Sequence, residues 1–148
     1  MGTDYYSAMS QTLSVRVDQV GPATARATAR AHSVMVDRPV PKGGEDRGPL
    51  GGEYLLVALG GCFMSNLLAA IRAREAAVSN VRVDVTGTID GPPDRFSAFT
   101  MTISAGHADA ELVRKLIAIA ARACAVTNTL RAAATVAIEF EGVRIEVP

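Results

Sequence analysis

From Tyr54 to Ile71 the chain runs for 18 residues without a charge, reading Tyr-Leu-Leu-Val-Ala-Leu-Gly-Gly-Cys-Phe-Met-Ser-Asn-Leu-Leu-Ala-Ala-Ile. The run reads as the body of a helix spanning about 52–77, with charges only in its last turns, at Arg72, Arg74 and Glu75. A helix that is apolar on almost every side must be enclosed on almost every side, by lipid or by protein. Eighteen residues is near the lower limit for crossing a bilayer. The mid-span polar and small residues Gly60, Gly61, Ser65 and Asn66, and the alternating segments on either side, favour enclosure by protein. One sheet covers only one face, so the second cover is expected from a partner subunit.

The flanks alternate with period two, the pattern of half-buried strands. Ser14 to Val20, Ala23 to Ala31 and Ser33 to Asp37 read as an antiparallel meander, with Gly21-Pro22 as a turn. The Gly- and Pro-rich stretch from Pro39 to Gly52 reads as a loop. Beyond the helix, Val81 to Ile89 and Phe96 to Ser104 form a hairpin around Gly91-Pro92-Pro93. A second helix from Asp109 to Ala125 is capped by Asp109 and carries Leu112, Leu116, Ile119 and Ala123 at spacings of three and four. Thr135 to Phe140 and Val143 to Val147 close the chain as strands. Strands and helices in this order make an α+β fold, not an alternating βαβ one. The whole chain, 1–148, reads as one domain: strands and loop (1–50), the cysteine helix (52–77) and a β-β-α-β-β part (81–148).

Apolar residues make up 49% of the chain and charged residues 20%, and the formal net charge is zero. That balance excludes a disordered chain, and the lack of any basic block excludes a phosphate-backbone footprint; no nucleic-acid partner is expected. The N-terminal stretch MGTDYYSAMSQTLSV has no positive segment leading into an apolar run, so the expected location is cytoplasmic, with no membrane partner. His32 and His107 lack metal-ligand spacing with either cysteine, and the glycines from Gly43 to Gly52 match neither a dinucleotide nor a P-loop pattern. No cofactor or metal is expected.

Two cysteines, Cys62 and Cys124, are 62 positions apart, so only the tertiary fold can bring them together. Each on its own reads as a small buried hydrophobe. Together they read as a thiol pair, in which one thiolate attacks an O–O bond and the second thiol condenses with the resulting sulfenic acid. Gly60 and Gly61, each costing a helix roughly 0.5–1 kcal/mol relative to alanine, either admit close packing or open space around Cys62.

Asp37-Arg38-Pro39, Gly43-Gly44, the run from Gly48-Pro49-Leu50-Gly51-Gly52-Glu53-Tyr54 through Gly60-Gly61-Cys62, and Cys124-Ala125-Val126-Thr127-Asn128-Thr129-Leu130 together closely resemble the OsmC/Ohr family of osmotically inducible and organic hydroperoxide resistance proteins. The resemblance spans nearly the whole chain, because the element order fits as well. It implies an intertwined homodimer in which antiparallel sheets wrap two long central helices, with each active site at the subunit interface. It also implies reduction of organic or fatty-acid hydroperoxides by an external dithiol reductant, with Cys62 in the peroxidatic position and Cys124 in the resolving one.

The resemblance brings a glutamate and an arginine to such a site, and here the chain departs from the pattern. The peroxidase members carry the glutamate ten residues before the first cysteine; in this chain that position is Gly52, and Glu53 lies nine back. Nine residues turn a side chain about 180° around a helix and carry it about 13.5 Å along the axis. Glu53 also reads simply as a first-turn carboxylate favoured by the helix dipole. Arg38 is the candidate arginine, with Arg26 and Arg30 on the strand before it. Where family members often have proline after the second cysteine, this chain has Ala125. The catalytic set read from the sequence is therefore Cys62, Cys124, Arg38 and Glu53. The alternatives are a non-catalytic protein of this type that binds a small apolar ligand with its cysteines reduced, and a redox sensor.

Overall fold

The computed structural model describes residues 10–147, and the chain divides after Gly51 into two compact units. Most of the N-terminal stretch used to read the location therefore lies outside the described residues.

The first unit is a three-stranded antiparallel meander of β1 (Arg16–Gln19), β2 (Ala25–Ala29) and β3 (His32–Val36), in that spatial order. β1 and β2 are shorter than their alternation predicts, and β3 keeps its five residues one position earlier. Arg30 leaves the strand at φ 56° to make the turn into β3, so the polar–apolar pattern continues where the ladder has ended. In the described part of this unit only Thr24 and Asp37 are buried, while Leu13, Val15 and Val17 are 84%, 68% and 61% exposed. This sheet has apolar side chains and no apolar core of its own.

Asp37 organises the loop that follows β3. Its carboxylate accepts hydrogen bonds from Thr24 Oγ1 (2.9 Å), Arg38 N (2.7 Å), Arg47 N (3.1 Å) and Glu45 N (3.3 Å). Its own N–H donates to Pro49 O at 3.1 Å, tying the two ends of the loop together. Gly44 packs against the Arg38 carbonyl, where any Cβ would collide. Gly43, Gly44 and Gly48 therefore belong to a compact loop folded around one carboxylate, while Gly51 and Gly52, also read as loop, open the helix that follows.

In the second unit α1 (Gly51–Ala73) is followed by a sheet of order β4 (Ser79–Asp90), β5 (Arg95–Gly106), β6 (Thr135–Phe140) and β7 (Val143–Arg144). The β4–β5 and β6–β7 pairs are antiparallel, as expected. The β5–β6 pair is parallel, with Met101 opposite Ile138, because the chain crosses over through α2 (Ala110–Ala123) and α3 (Ala125–Arg131) before re-entering the sheet. Helix α1 ends four residues earlier than the sequence predicts. Glu75 adopts φ 48°, and the bonds Glu75 N to Arg72 O and Ala76 N to Ile71 O close a Schellman turn with no glycine to announce it.

The second predicted helix is two helices. Asp109 caps α2 as expected, accepting from Leu112 N at 3.1 Å, but the chain breaks at Cys124 and resumes as α3. The buried face of α2 is Val113, Leu116, Ile117, Ala120 and Ala121; of the predicted stripe only Leu116 is fully buried, and Ala123 is exposed. Two adjacent apolar stripes share this helix, and the neighbours against which it packs select between them.

The core lies between one face of α1 (Leu59, Phe63, Leu67), the β5 residues Phe99, Met101 and Ile103, the buried face of α2, and Ile138 and Phe140 of β6. The opposite face of α1 is open: Val57 is 60% exposed and Leu68 38%. By length and composition alone α1, with a mean hydropathy of 1.9, is long and apolar enough to cross a membrane.

The two glycines of α1 separate the alternatives posed by the sequence. A Cβ at Gly60 would stand 2.7 Å from Val85 Cγ2, so this glycine lets β4 pack against the helix; a Cβ at Gly61 would meet nothing within 4 Å. Leu56, Val57, Gly60, Gly61, Met64, Val83 and Val85 line an apolar groove of about 410 Å³ there.

Candidate active site

Cys62 sits on α1 between the buried side chains Leu59 and Phe63 and the open face carrying Gly61, and it is half-buried. Cys124 is fully buried at the break between α2 and α3. Its backbone (φ −78°, ψ 109°) is extended, which stops α2, and its sulfur accepts the Thr127 N–H at 3.4 Å, as a serine oxygen does at a helix N-cap. Ala125 is the first residue of α3, a position whose N–H has no intrahelical partner, so alanine here keeps the helix start that proline would give.

The fold closes the gap of 62 positions: Cys62 and Cys124 are close enough for each thiol to feel the other's charge. Burial pushes the Cys124 thiol above its ordinary value of 9.0, and the neighbouring Cys62 raises it further. The Thr127 backbone and hydroxyl work in the opposite direction without reversing the outcome. Cys124 therefore keeps its proton at neutral pH.

Two residues that the sequence reading did not select stand at this centre. Asn66, one turn beyond Cys62, donates through Nδ2 to the Cys62 carbonyl at 2.9 Å and lies 3.9 Å from its sulfur. Its only signal is an amide inside an otherwise apolar helix, four residues from a cysteine. Thr127 holds the Cys124 sulfur through its N–H, and its buried hydroxyl favours the ionised form of the same thiol. Nothing in the sequence marks that hydroxyl, because the break at Cys124 that positions it is itself a tertiary outcome.

The remaining predicted residues are placed as follows. Glu53 is exposed in the first turn of α1, nine residues before Cys62. Arg38 is exposed in the first unit, in the loop that Asp37 holds; its N–H donates to the Asp37 carboxylate and its carbonyl accepts from Asp46 N at 3.0 Å.

The architecture and the cysteine pair define an α+β protein of the OsmC type. The sequence profile described as OsmC-like protein matches residues 43–139, and the chain belongs to that family. Solved structures share the fold. A protein from Psychrobacter arcticus 273-4, assigned to osmotic stress induction and detoxification response, aligns with TM-score 0.77 over 90% of this chain and 99% of its own at 16% identity. An OsmC-like protein from Mycoplasma pneumoniae aligns with TM-score 0.76 over 89% and 99% at 15% identity. The organic hydroperoxide resistance protein OhrB of Bacillus subtilis aligns with TM-score 0.66 over 88% and 98% at 14% identity. No curated protein sequence matches the chain significantly.

Proposed function

We propose that this protein reduces organic hydroperoxides through a Cys62–Cys124 thiol pair. The observation that carries the reading is a pair of neighbouring thiols of unequal exposure, Cys62 half-buried beside an apolar groove and Cys124 fully buried and protonated. The Cys62 thiolate attacks the distal oxygen of R–O–OH; the O–O bond breaks, the alkoxide leaves and takes up a proton as the alcohol, and Cys62 becomes a sulfenic acid. The Cys124 thiol then attacks that sulfur, forming the disulfide and releasing water. An external dithiol returns both cysteines to thiols and is itself oxidised. Arg38 is the candidate cation for the thiolate. No cofactor takes part, and the chemistry suits the reducing cytoplasm.

The working form is a homodimer. Val57, Gly61, Met64 and Leu68 follow a 4-3-4 spacing along the open face of α1, the spacing of a seam between helices, and the described residues of the first unit form no apolar core. A second copy of the chain, not lipid, covers both.

Mixing reduced protein with cumene hydroperoxide and counting thiols tests the chemistry. Two thiols per chain are lost in the native protein, none in Cys62→Ser, and Cys124→Ser stops at a sulfenic acid that dimedone traps. Loss of no thiols from the native protein overturns the reading. It would favour instead a ligand-binding protein with reduced cysteines, the alternative supported by the position of Glu53, one residue out of register for this chemistry.

A further inference from the structure

The two sulfurs differ in what the backbone can do for them. Cys124 stands at a helix start and receives the Thr127 N–H at 3.4 Å. Cys62 lies near the middle of α1, where the backbone N–H groups are spent on bonds within the helix. A thiolate at Cys62 must therefore be stabilised by side chains. On an α-helix the residue four positions on lies alongside, and here it is Asn66. Its Nδ2 donates to the Cys62 carbonyl at 2.9 Å and stands 3.9 Å from the Cys62 sulfur. A carbonyl oxygen only accepts, so this bond fixes which end of the amide faces Cys62. An NH2 group carries two donors: one is used on the carbonyl, and the second remains for the sulfur. The pair is part-buried, where a hydrogen bond to a charge is stronger than in open water. Cys124 keeps its proton and so sets no competing negative charge beside Cys62.

We infer that Asn66 is the donor that steadies the Cys62 thiolate, one N–H anchored on the Cys62 carbonyl and the other closing on the sulfur as it ionises. The inference rests on the thiol chemistry proposed above and names a residue for its first step. A separation of 3.9 Å is long for a bond to a neutral thiol, and such contacts tighten when the acceptor gains charge. The carbonyl bond already orients the amide, so little reorganisation is needed when charge appears. In the attack on R–O–OH the sulfur electron pair goes into the new S–O bond and the O–O pair leaves with the alkoxide, so the N–H is released from the sulfur as its charge departs. A donor of this kind acts in two senses. It raises the fraction of thiolate, and it lowers the nucleophilicity of each thiolate, with a Brønsted coefficient of about 0.4–0.5. Removing it should slow Cys62 where the thiol is mostly protonated and speed it where the thiol is fully ionised.

Alkylation of the reduced full-length protein by iodoacetamide between about pH 5 and about pH 10, followed at the Cys62 peptide by mass spectrometry, tests this. In Asn66→Leu, which removes both donors, the pH profile of the rate is expected to move toward alkaline pH by about one unit. The rate at neutral pH then falls about threefold, and near about pH 10 it equals or exceeds the native rate. Asn66→Asp, which puts a carboxylate where the donor stood, should move the profile further in the same direction. Circular dichroism of both variants should match the native protein, and either variant carries the test if the other does not fold. An unmoved profile, a loss of rate by the same factor at every pH, or an Asn66→Asp profile displaced no further than that of Asn66→Leu would each overturn the assignment. The peroxide reading fails separately: if cumene hydroperoxide removes no thiols while the alkylation profile still depends on Asn66, the hydroperoxide chemistry falls and the role of the amide stands. If peroxide oxidises the native protein and the Asn66 variants share its profile, the inference about Asn66 alone falls.

Discussion

Gly60 and Val85 pack so closely that a Cβ on the glycine would stand 2.7 Å from Val85 Cγ2, while the neighbouring Gly61 faces space empty to 4 Å. Valine is stiff at χ1 and cannot swing its methyl aside at low cost. Overpacking of roughly 1–3 kcal/mol outweighs the roughly 0.5–1 kcal/mol of helix propensity that alanine adds, so Gly60→Ala is expected to lower stability by about 1 kcal/mol. Gly61→Ala, measured under conditions that keep the chain monomeric, is expected to stabilise by about 0.5–1 kcal/mol. Urea unfolding of both variants checks the pair, and equal effects would contradict the different environments of the two glycines.

Asp37 provides a pH dependence at the acid end. Burial pushes its carboxyl up, but the hydrogen bonds from Arg47, Arg38, Thr24 and Glu45 outweigh burial and hold it below the ordinary 3.8. A carboxyl lowered by folding contributes stability that is present above its unfolded value and is lost as pH falls through the folded one. The loop after β3 is therefore expected to loosen below pH 3.8, read as faster amide exchange at Arg38, Glu45 and Arg47. Asp37→Asn, which turns an NH2 group toward donors, should show that fast exchange at neutral pH.

Cys124 acts at the alkaline end with the opposite sense. Its thiol is raised by folding above 9.0, so its contribution to stability is complete below that value and is lost as pH climbs toward the folded one. Between about pH 7 and about pH 10 the native protein should lose more stability than Cys124→Ser, whose hydroxyl does not titrate in that range. An identical loss in both proteins would show that Cys124 ionises in the fold as it does unfolded.

The open face of α1 predicts an assembly effect. Val57→Glu introduces a charge where the side chain is 60% exposed in the single chain, so it should leave the fold of each chain intact. In a dimer sealed along that face it buries an unpaired carboxylate, and light scattering should report a shift to monomer, with dissociation constants weaker by at least tenfold. An unchanged mass would place the partner elsewhere.

The sequence by itself determined the α+β order, the apolar helix through Cys62, the antiparallel meander and the family, because each rests on periodicity or on a motif carried by contiguous residues. The tertiary structure alone decided what is not contiguous. The proximity of Cys62 and Cys124 spans 62 positions and exists only once α2 crosses to the sheet. The break at Cys124 has no glycine or proline to mark it, and the sulfur itself replaces the usual N-cap oxygen. The buried stripe of α2 was one of two that the sequence offers equally, and packing chose Val113, Ile117 and Ala121. Gly60 and Gly61 are the same residue in the same helix, and their roles differ because β4 stands behind one and open space behind the other. A side chain's neighbours are set by the whole fold, and it is neighbours that convert a residue type into a contact, a cap or a reactive thiol.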